Sequence, residues 1–259
     1  MSRKHLACLW VLVLTAAMGL AASAAEVQPA EQPAAPSAAK PEGATPSAPA
    51  ANPATKWEPQ IQAYEKQDKE SPPPTGAVLF VGSSTIRMWK TLEDDFKPMK
   101  VIGRGVGGCG IPDMVYYADR IVVPYKPRQV VFYAGDNDLA GKKTAGQALA
   151  DFKAFAEKVR KALPEVKIHF VSIKPSPSRA KVWDEAQKAN QMIRGYCQAT
   201  PGLAFLDITQ AMLGADGQPK PEIFLKDMLH MNRAGYELWI PLIKAALEKG
   251  AAPASEEKR

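Results

Sequence analysis

The sequence predicts an α/β protein: a three-layer α/β/α sandwich around a five-stranded parallel sheet of the flavodoxin-like type. Five apolar runs without polar alternation predict strands buried on both faces, at residues 78–81, 101–102, 130–133, 168–173 and 203–206. Helical patterns predict the connecting helices, at residues 112–123, 145–162, 180–199 and 234–249. Alternating strands and helices imply right-handed crossovers and a ligand site at the carboxyl ends of the strands.

The first 25 residues have the pattern of a secretory signal peptide. Arg3 and Lys4 precede an uncharged stretch, residues 6–25, that ends in small side chains. This pattern predicts cleavage near Ala24 and a periplasmic or secreted protein. An uncleaved membrane anchor is the alternative, because the stretch approaches the roughly 20 residues that a spanning helix needs.

Residues 26–56 are predicted to be a disordered linker, because Ala and Pro dominate and aromatic residues are absent. A segment of this composition cannot bury enough apolar surface to offset the entropy that it loses on ordering. One domain is expected at residues 57–250, followed by a disordered tail at 251–259. The formal net charge of +6 arises from scattered basic residues, a pattern that does not favour nucleic-acid binding.

Serine residues follow the first predicted strand directly, in the run Gly82-Ser83-Ser84-Thr85. A serine in this place projects from the carboxyl edge of the sheet. Its own amide lies at a helix start, where the helix dipole favours a developing negative charge. The alternative is that these hydroxyl groups only cap the helix. This motif alone leaves both interpretations open.

Two further segments at strand ends carry groups that can donate hydrogen bonds to an oxyanion. The glycine-rich run at residues 103–110 fits neither common phosphate-binding pattern, but its backbone amides can approach a ligand closely. Asn137, in Gly135-Asp136-Asn137-Asp138, follows the third strand and can donate its side-chain amide. The alternatives are a flexible turn for the first segment and a turn or cation site for the second, although the calcium-loop pattern is absent.

His230 is the favoured general base among the three histidines of the chain. Export removes His5, and His169 lies inside an apolar strand, where a core histidine is expected. Asp227 precedes His230 by one helical turn, so its carboxylate can reach the imidazole and fix the tautomer. Together the four segments predict acyl transfer through a covalent intermediate. The few histidines and cysteines predict no metal site.

In their order along the chain, these segments resemble the sequence blocks of the SGNH (GDSL-type) esterase and acylhydrolase family. The resemblance covers residues 78–247 and implies the SGNH hydrolase fold. Ser84 matches the nucleophile, and Asp227 and His230 match the acid and the base. Gly108 and Asn137 match the oxyanion-hole residues, which act together with the amide of Ser84.

Three residues beside these blocks are expected to line the pocket: Ser83, Cys109 and Asp136. Ser83 stands where the family usually has Asp, and it is therefore a rival nucleophile. Asp136 replaces a small residue, and its charge would disfavour an oxyanion unless the carboxylate points away. Cys109 adjoins Gly108, and its alternative role is that of a small buried apolar residue. A disulfide with Cys197 after export is left open.

The resemblance implies a serine esterase that needs no metal or cofactor and hydrolyses a small-molecule or glycan ester, and the signal-peptide pattern adds that it is exported. Short acyl groups such as acetyl are favoured, because the sequence has no long apolar insertion for a lid or acyl tunnel. A lysophospholipase or thioesterase of the same family is one alternative, and a non-catalytic glycan-binding module is another. No nucleic-acid partner is expected, membrane contact is expected only through an uncleaved signal segment, and the oligomeric state stays open.

Overall fold

The structure is a computed structural model, and it describes residues 54–251. The predicted signal peptide, nearly all of the predicted linker and nearly all of the predicted tail lie outside the described residues. The first described helix begins at Ala54, three residues before the predicted start of the domain at Trp57.

The predicted five-stranded parallel sheet is confirmed. Its strands are β1 Val78–Gly82, β2 Val101–Gly105, β3 Gln129–Tyr133, β4 Lys167–Val171 and β5 Leu203–Leu206. Their spatial order is β2-β1-β3-β4-β5, and every neighbouring pair is parallel. The chain therefore moves outward from β1 to β2 and then crosses to the other side of β1 to form β3. This reversal places a crevice at the carboxyl ends of β1 and β3, where ligands bind in open α/β sheets.

Helices cover both faces of the sheet. They are α1 Ala54–Glu70, α2 Ser84–Arg87, α3 Leu92–Asp95, α4 Ile111–Ile121, α5 Asp136–Ala140, α6 Ala145–Ala162, α7 Trp183–Ala199, α8 Thr209–Met212 and α9 Arg233–Ala251. The four predicted helices correspond to α4, α6, α7 and α9, with small differences at their ends. Helix α1 is additional, and Pro59 inside it obscures the helical pattern. No helix within residues 54–251 is long and apolar enough to span a membrane.

The sheet separates two apolar cores, which explains why the strand sequences do not alternate with polar residues. In β1, Leu79 and Val81 pack into the core beneath α4, α6 and α7, and Val78 and Phe80 pack into the core beneath α9. All four side chains are fully buried. Because successive side chains of a strand point to opposite faces, a strand covered on both faces is apolar at most of its positions.

His169 is a buried residue of β4, as its place in an apolar strand predicts, and 3% of its surface is exposed. Its Nε2 lies 2.7 Å from Oε1 of Gln129, whose own amide nitrogen donates to the carbonyl of Leu247. Gln129 therefore presents an acceptor, so His169 carries its proton on Nε2 and is neutral. Burial, with a smaller contribution from Lys167, lowers the pKa of His169 to about 4.

We expect this histidine to make the free energy of unfolding fall between pH 6.5 and pH 4. The unfolded chain binds a proton below about pH 6.5, whereas the folded chain does not until about pH 4. The contribution of His169 to the free energy of unfolding is therefore fully present above pH 6.5. Up to about 3 kcal/mol of it is lost as the pH falls to 4. The free energy of unfolding, measured with urea at pH 7.5 and at pH 5, should decrease less between these two pH values for His169→Gln than for the wild type. Equal decreases in the two proteins would contradict the assignment.

Candidate active site

The turn from β1 into α2 buries Ser83 and leaves Ser84 accessible. Gly82 has φ 145°, and a Cβ at this position would lie 1.8 Å from the carbonyl oxygen of Tyr133, so only glycine fits. The amide of Ser83 donates to the same carbonyl at 2.9 Å. The hydroxyl of Ser83 is fully buried and has no hydrogen-bond partner among the described residues. The turn therefore directs Ser84, and not Ser83, towards the crevice.

Ser84, His230 and Asp227 form a continuous hydrogen-bonded chain. The hydroxyl oxygen of Ser84 lies 2.9 Å from His230 Nε2, and His230 Nδ1 lies 2.6 Å from Asp227 Oδ2. The loop that carries the acid and base is bound by the loop after β4, because the amide of Ser178 donates to the carbonyl of Met228 at 3.1 Å. With a proton on Nδ1, the imidazole can accept the proton of Ser84 through Nε2.

The carboxylate of Asp227 is arranged to remain ionised. Partial burial acts to raise its pKa, but hydrogen bonds from the ring and amide of His230 and from the amide of Leu229 outweigh this effect and lower the pKa to about 2. The two amides donate to Oδ1 at 3.0 Å each, so Oδ2 is left for the ring. Asp227 therefore stays negative at neutral pH and stabilises a positively charged His230.

Three groups around Ser84 can donate to an oxyanion. Within the described chain, the amides of Ser84 and Gly108 donate to no acceptor. The side-chain nitrogen of Asn137 donates to the carbonyl of Cys109 at 3.0 Å, which uses one of its two hydrogens. Two free amides and one amide hydrogen match the donor set of an oxyanion hole.

Arg179 lies beside the amide oxygen of Asn137, and no motif in the sequence predicts this contact. Its Nη2 lies 3.5 Å from Oδ1 of Asn137, on the side opposite to the contact with Cys109. A donor next to Oδ1 and a carbonyl next to Nδ2 both favour the same orientation of the amide. Arg179 reaches this position because the loop after β4 runs beside the catalytic loop at Ser178.

Asp136 does not bring an uncompensated charge to the site. Its Oδ2 accepts from Lys174 Nζ at 2.9 Å and from the hydroxyl of Tyr133 at 3.3 Å, and its Oδ1 accepts the amide of Asn137 at 3.0 Å. Burial acts to raise the pKa of Asp136, but the charge of Lys174 outweighs it and lowers the pKa. Asp136 therefore holds the backbone of Asn137, and its carboxylate is neutralised by Lys174.

The three residues that were expected to line the pocket, Ser83, Cys109 and Asp136, are all buried. An open cleft of about 300 Å³ lies next to the oxyanion donors, and its lining includes Gly108, Pro112, Asp113, Asn137, Asp138 and Lys143. Cys109 packs into the apolar core, and burial raises the pKa of its thiol. Cys109 and Cys197 are both free thiols.

Asp138 connects the segment at residues 135–138 with the end of the glycine-rich segment. The sequence alone left open whether Asp138 belongs to a turn or to a cation site. Its carboxylate accepts the amide of Ile111 at the start of α4, at 3.1 and 3.2 Å. Lys143 lies 3.3 Å from the same carboxylate. Among residues 54–251, no group of three or more His, Cys, Asp or Glu side chains is arranged to hold a metal ion.

Removal of the Asn137 side chain should lower kcat by about 10²-fold to 10³-fold, the usual effect of losing one oxyanion donor. Esterase assays of Asn137→Ala would measure this, with circular dichroism to show that the protein is folded. Asn137→Asp, which keeps the shape but replaces the donor with a negative charge, should lose at least the same factor. Wild-type turnover in both variants would exclude Asn137 from the oxyanion hole.

The chain matches a known family and several solved structures. The family model described as "GDSL-like Lipase/Acylhydrolase family" matches residues 81–238. Similar solved structures include one from Bacteroides fragilis described as an acylhydrolase, with 26% identity, a TM-score of 0.63 and coverage of 73% of this chain and 95% of that one. A GDSL-like lipase from Bacteroides thetaiotaomicron has 25% identity, a TM-score of 0.62 and coverage of 73% and 97%.

A more distant structural neighbour is a mutant of an acetyl-xylooligosaccharide esterase from Geobacillus. It has 13% identity and a TM-score of 0.56, with coverage of 70% of this chain and 97% of that one. At this identity the likeness concerns the fold. A search of curated protein sequences found no match.

Proposed function

Because the chain belongs to the GDSL-like lipase/acylhydrolase family, we propose that it is an exported serine esterase acting on short-acyl carboxylic esters, such as acetyl groups on glycans. The observation that carries the proposal is the chain of contacts from Ser84 through His230 to Asp227, at 2.9 and 2.6 Å. Export rests on the signal-peptide pattern of residues 1–25.

In this mechanism His230 takes the proton of Ser84 as the hydroxyl oxygen attacks the ester carbonyl carbon. The negative charge moves to the carbonyl oxygen, where the amides of Ser84 and Gly108 and the side chain of Asn137 donate to it. His230 then gives its proton to the departing alcohol, which leaves an acyl group on Ser84. A water molecule, deprotonated by His230, attacks this acyl-enzyme and releases the acid.

The small size of the cleft beside the oxyanion donors supports a small acyl group. Its volume is about 300 Å³, and Asp113, Asp138 and Lys143 line it with Gly108 and Asn137. A cleft at the lower end of the volume range of ligand pockets suits a small acyl group better than a long acyl chain. The Geobacillus neighbour is described as an acetyl-xylooligosaccharide esterase, and its similar fold is therefore compatible with a short-acyl substrate.

A second candidate is a lysophospholipase or thioesterase, and one observation favours it. Leu225 and Met228 are 39% and 38% exposed, and they flank Asp227 in the loop that carries the catalytic acid. Two exposed apolar side chains beside a catalytic residue can contact an acyl chain. They form a small patch, which is why the short-acyl esterase is preferred.

A substrate panel distinguishes these candidates. The purified protein would be assayed with p-nitrophenyl esters from acetate to dodecanoate, acetylated xylo-oligosaccharides, lysophosphatidylcholine and acyl-coenzyme A. The highest kcat/KM is expected for acetyl esters. A maximum at long acyl chains would favour the second candidate. If folded protein hydrolyses none of them and does not react with a fluorophosphonate, a glycan-binding module is the better explanation.

A further inference from the structure

Helix α1 contacts the oxyanion loop although it precedes the segment that matches the family. The family match begins at residue 81, whereas α1 spans Ala54–Glu70. Three of its side chains, Trp57, Gln60 and Tyr64, are spaced so that they share one face of the helix. This face is turned towards residues 105–108, the glycine-rich loop after β2.

Gln60 and Tyr64 bind the backbone of this loop directly. Oε1 of Gln60 accepts the amide of Gly107 at 2.9 Å. The hydroxyl of Tyr64 donates to the carbonyl of Gly105 at 2.7 Å. Because Gln60 binds the amide of Gly107, the peptide plane between Val106 and Gly107 has a defined orientation, one peptide before the one that carries the amide of Gly108. The next amide, that of Gly108, is left free to donate to the oxyanion.

Trp57 covers the other side of the same turn. Gly108 has φ 76°, a conformation that favours glycine, and a Cβ there would lie 3.2 Å from a ring carbon of Trp57. The indole is half-buried, so part of it remains available to a ligand. A carbonyl oxygen held by the amide of Gly108 would place its acyl group near this ring.

The helix is anchored firmly enough to act as a support. Arg120 of α4 binds Glu65 at 2.6 and 2.8 Å and Glu58 at 2.9 Å, and these two carboxylates lie two turns apart on α1. Ile61, on the inner side of the helix, is fully buried in the core. Asp68 forms an ion pair with the buried Arg104 of β2. These contacts tie α1 to the same elements that flank the oxyanion loop.

We propose that α1 is part of the active site: Gln60 is a positioning residue for the oxyanion amide of Gly108, and Trp57 is a specificity residue that limits the size of the acyl group. This inference rests on the proposed esterase function. It assigns to the chain two residues that lie outside the family match and that touch the site from a separate element.

Gln60 is tested by Gln60→Ala and Gln60→Glu, with Gln62→Ala as the matched control on the exposed side of α1. Gln60→Ala should lower kcat for p-nitrophenyl acetate by about 10-fold to 10²-fold with little change in KM, because a misplaced donor acts mainly in the transition state. Gln60→Glu keeps an acceptor for the amide of Gly107 and should recover most of the turnover. Gln62→Ala should match the wild type.

Trp57 is tested by its effect on acyl-chain preference. Trp57→Ala should raise the ratio of kcat/KM for the hexanoate ester over the acetate ester by about 10-fold, since the removed ring opens space beside Gly108. Trp57→Phe keeps an aromatic ring and should show a smaller change. An unchanged ratio in Trp57→Ala would overturn the specificity role.

Amide hydrogen exchange supplies a readout that does not depend on hydrolysis. Exchange at Gly107 should be faster in Gln60→Ala than in the wild type and in Gln62→Ala, because the amide loses its acceptor. Unchanged exchange would overturn the positioning role, and so would faster exchange with wild-type kcat. If the wild type hydrolyses no ester, the proposed function fails, while the exchange result still decides whether Gln60 holds the loop.

Discussion

Ser84→Ala should lose about 10⁴-fold to 10⁶-fold in kcat, because the hydroxyl that forms the acyl-enzyme is removed. His230→Ala should lose a comparable factor, since Ser84 then has no base within hydrogen-bond distance; in the wild type this distance is 2.9 Å. The double variant should be little worse than either single variant, because residues that act as one unit are strongly non-additive. Hydrolysis of p-nitrophenyl acetate measures all three.

The neighbouring serine provides the control for this prediction. Ser83→Ala removes a buried hydroxyl that has no hydrogen-bond partner in the described chain, so turnover should stay near that of the wild type. A fluorophosphonate should label the wild type and Ser83→Ala, and peptide mass analysis should place the adduct on Ser84. An inactive Ser83→Ala beside an active Ser84→Ala would reverse the assignment of the nucleophile.

Lys174→Met should destabilise the folded protein by about 3–5 kcal/mol, the cost of leaving one member of a buried ion pair without its partner. The side chains of Lys174 and Asp136 are 1% and 6% exposed, so water cannot replace the lost contact. Because Asp136 also accepts the amide of Asn137, esterase activity should decrease as well. Urea denaturation with linear extrapolation measures the change in stability.

Two further variants separate the charge effect from other causes. Asp136→Asn combined with Lys174→Met removes both charges and should recover part of the lost stability. Lys66→Met removes one member of the exposed pair Lys66–Glu70, whose atoms are 3.9 Å apart, and should leave stability near that of the wild type. Wild-type stability in Lys174→Met would show that Asp136 is not a buried carboxylate that depends on Lys174.

Much of the fold follows from local sequence patterns. Continuous apolar runs predict all five strands, because a strand covered on both faces has no solvent-facing side. The family resemblance drawn from the four motifs is confirmed by the match to residues 81–238. Local patterns did not predict helix α1, because its position depends on partners distant in sequence, such as Arg120 and the glycine-rich loop.

The motifs also predict which parts of the chain meet at the site, but they do not predict where each side chain points. Adjacent serines look equivalent in Gly82-Ser83-Ser84, and only the packing of the turn against Tyr133 buries one and exposes the other. The direction of the Asp136 carboxylate is also not predictable from the motif, although Asp136 is next to Asn137 in the chain. Its pairing with Lys174 spans 38 positions of the chain, a separation that carries no local pattern.

The sequence by itself determined the layered α/β architecture, the strand ends that carry polar motifs, and the identity of the candidate base and acid. These features depend on periodicity and on residue types at short spacing, which are local properties. Only the tertiary structure decided which of the two adjacent serines is accessible, the neutralisation of Asp136, the contact of Arg179 with Asn137, and the contacts of Gln60 and Trp57 with the oxyanion loop. Each of these requires side chains distant in sequence to meet, and burial and hydrogen-bond geometry become defined only when they do.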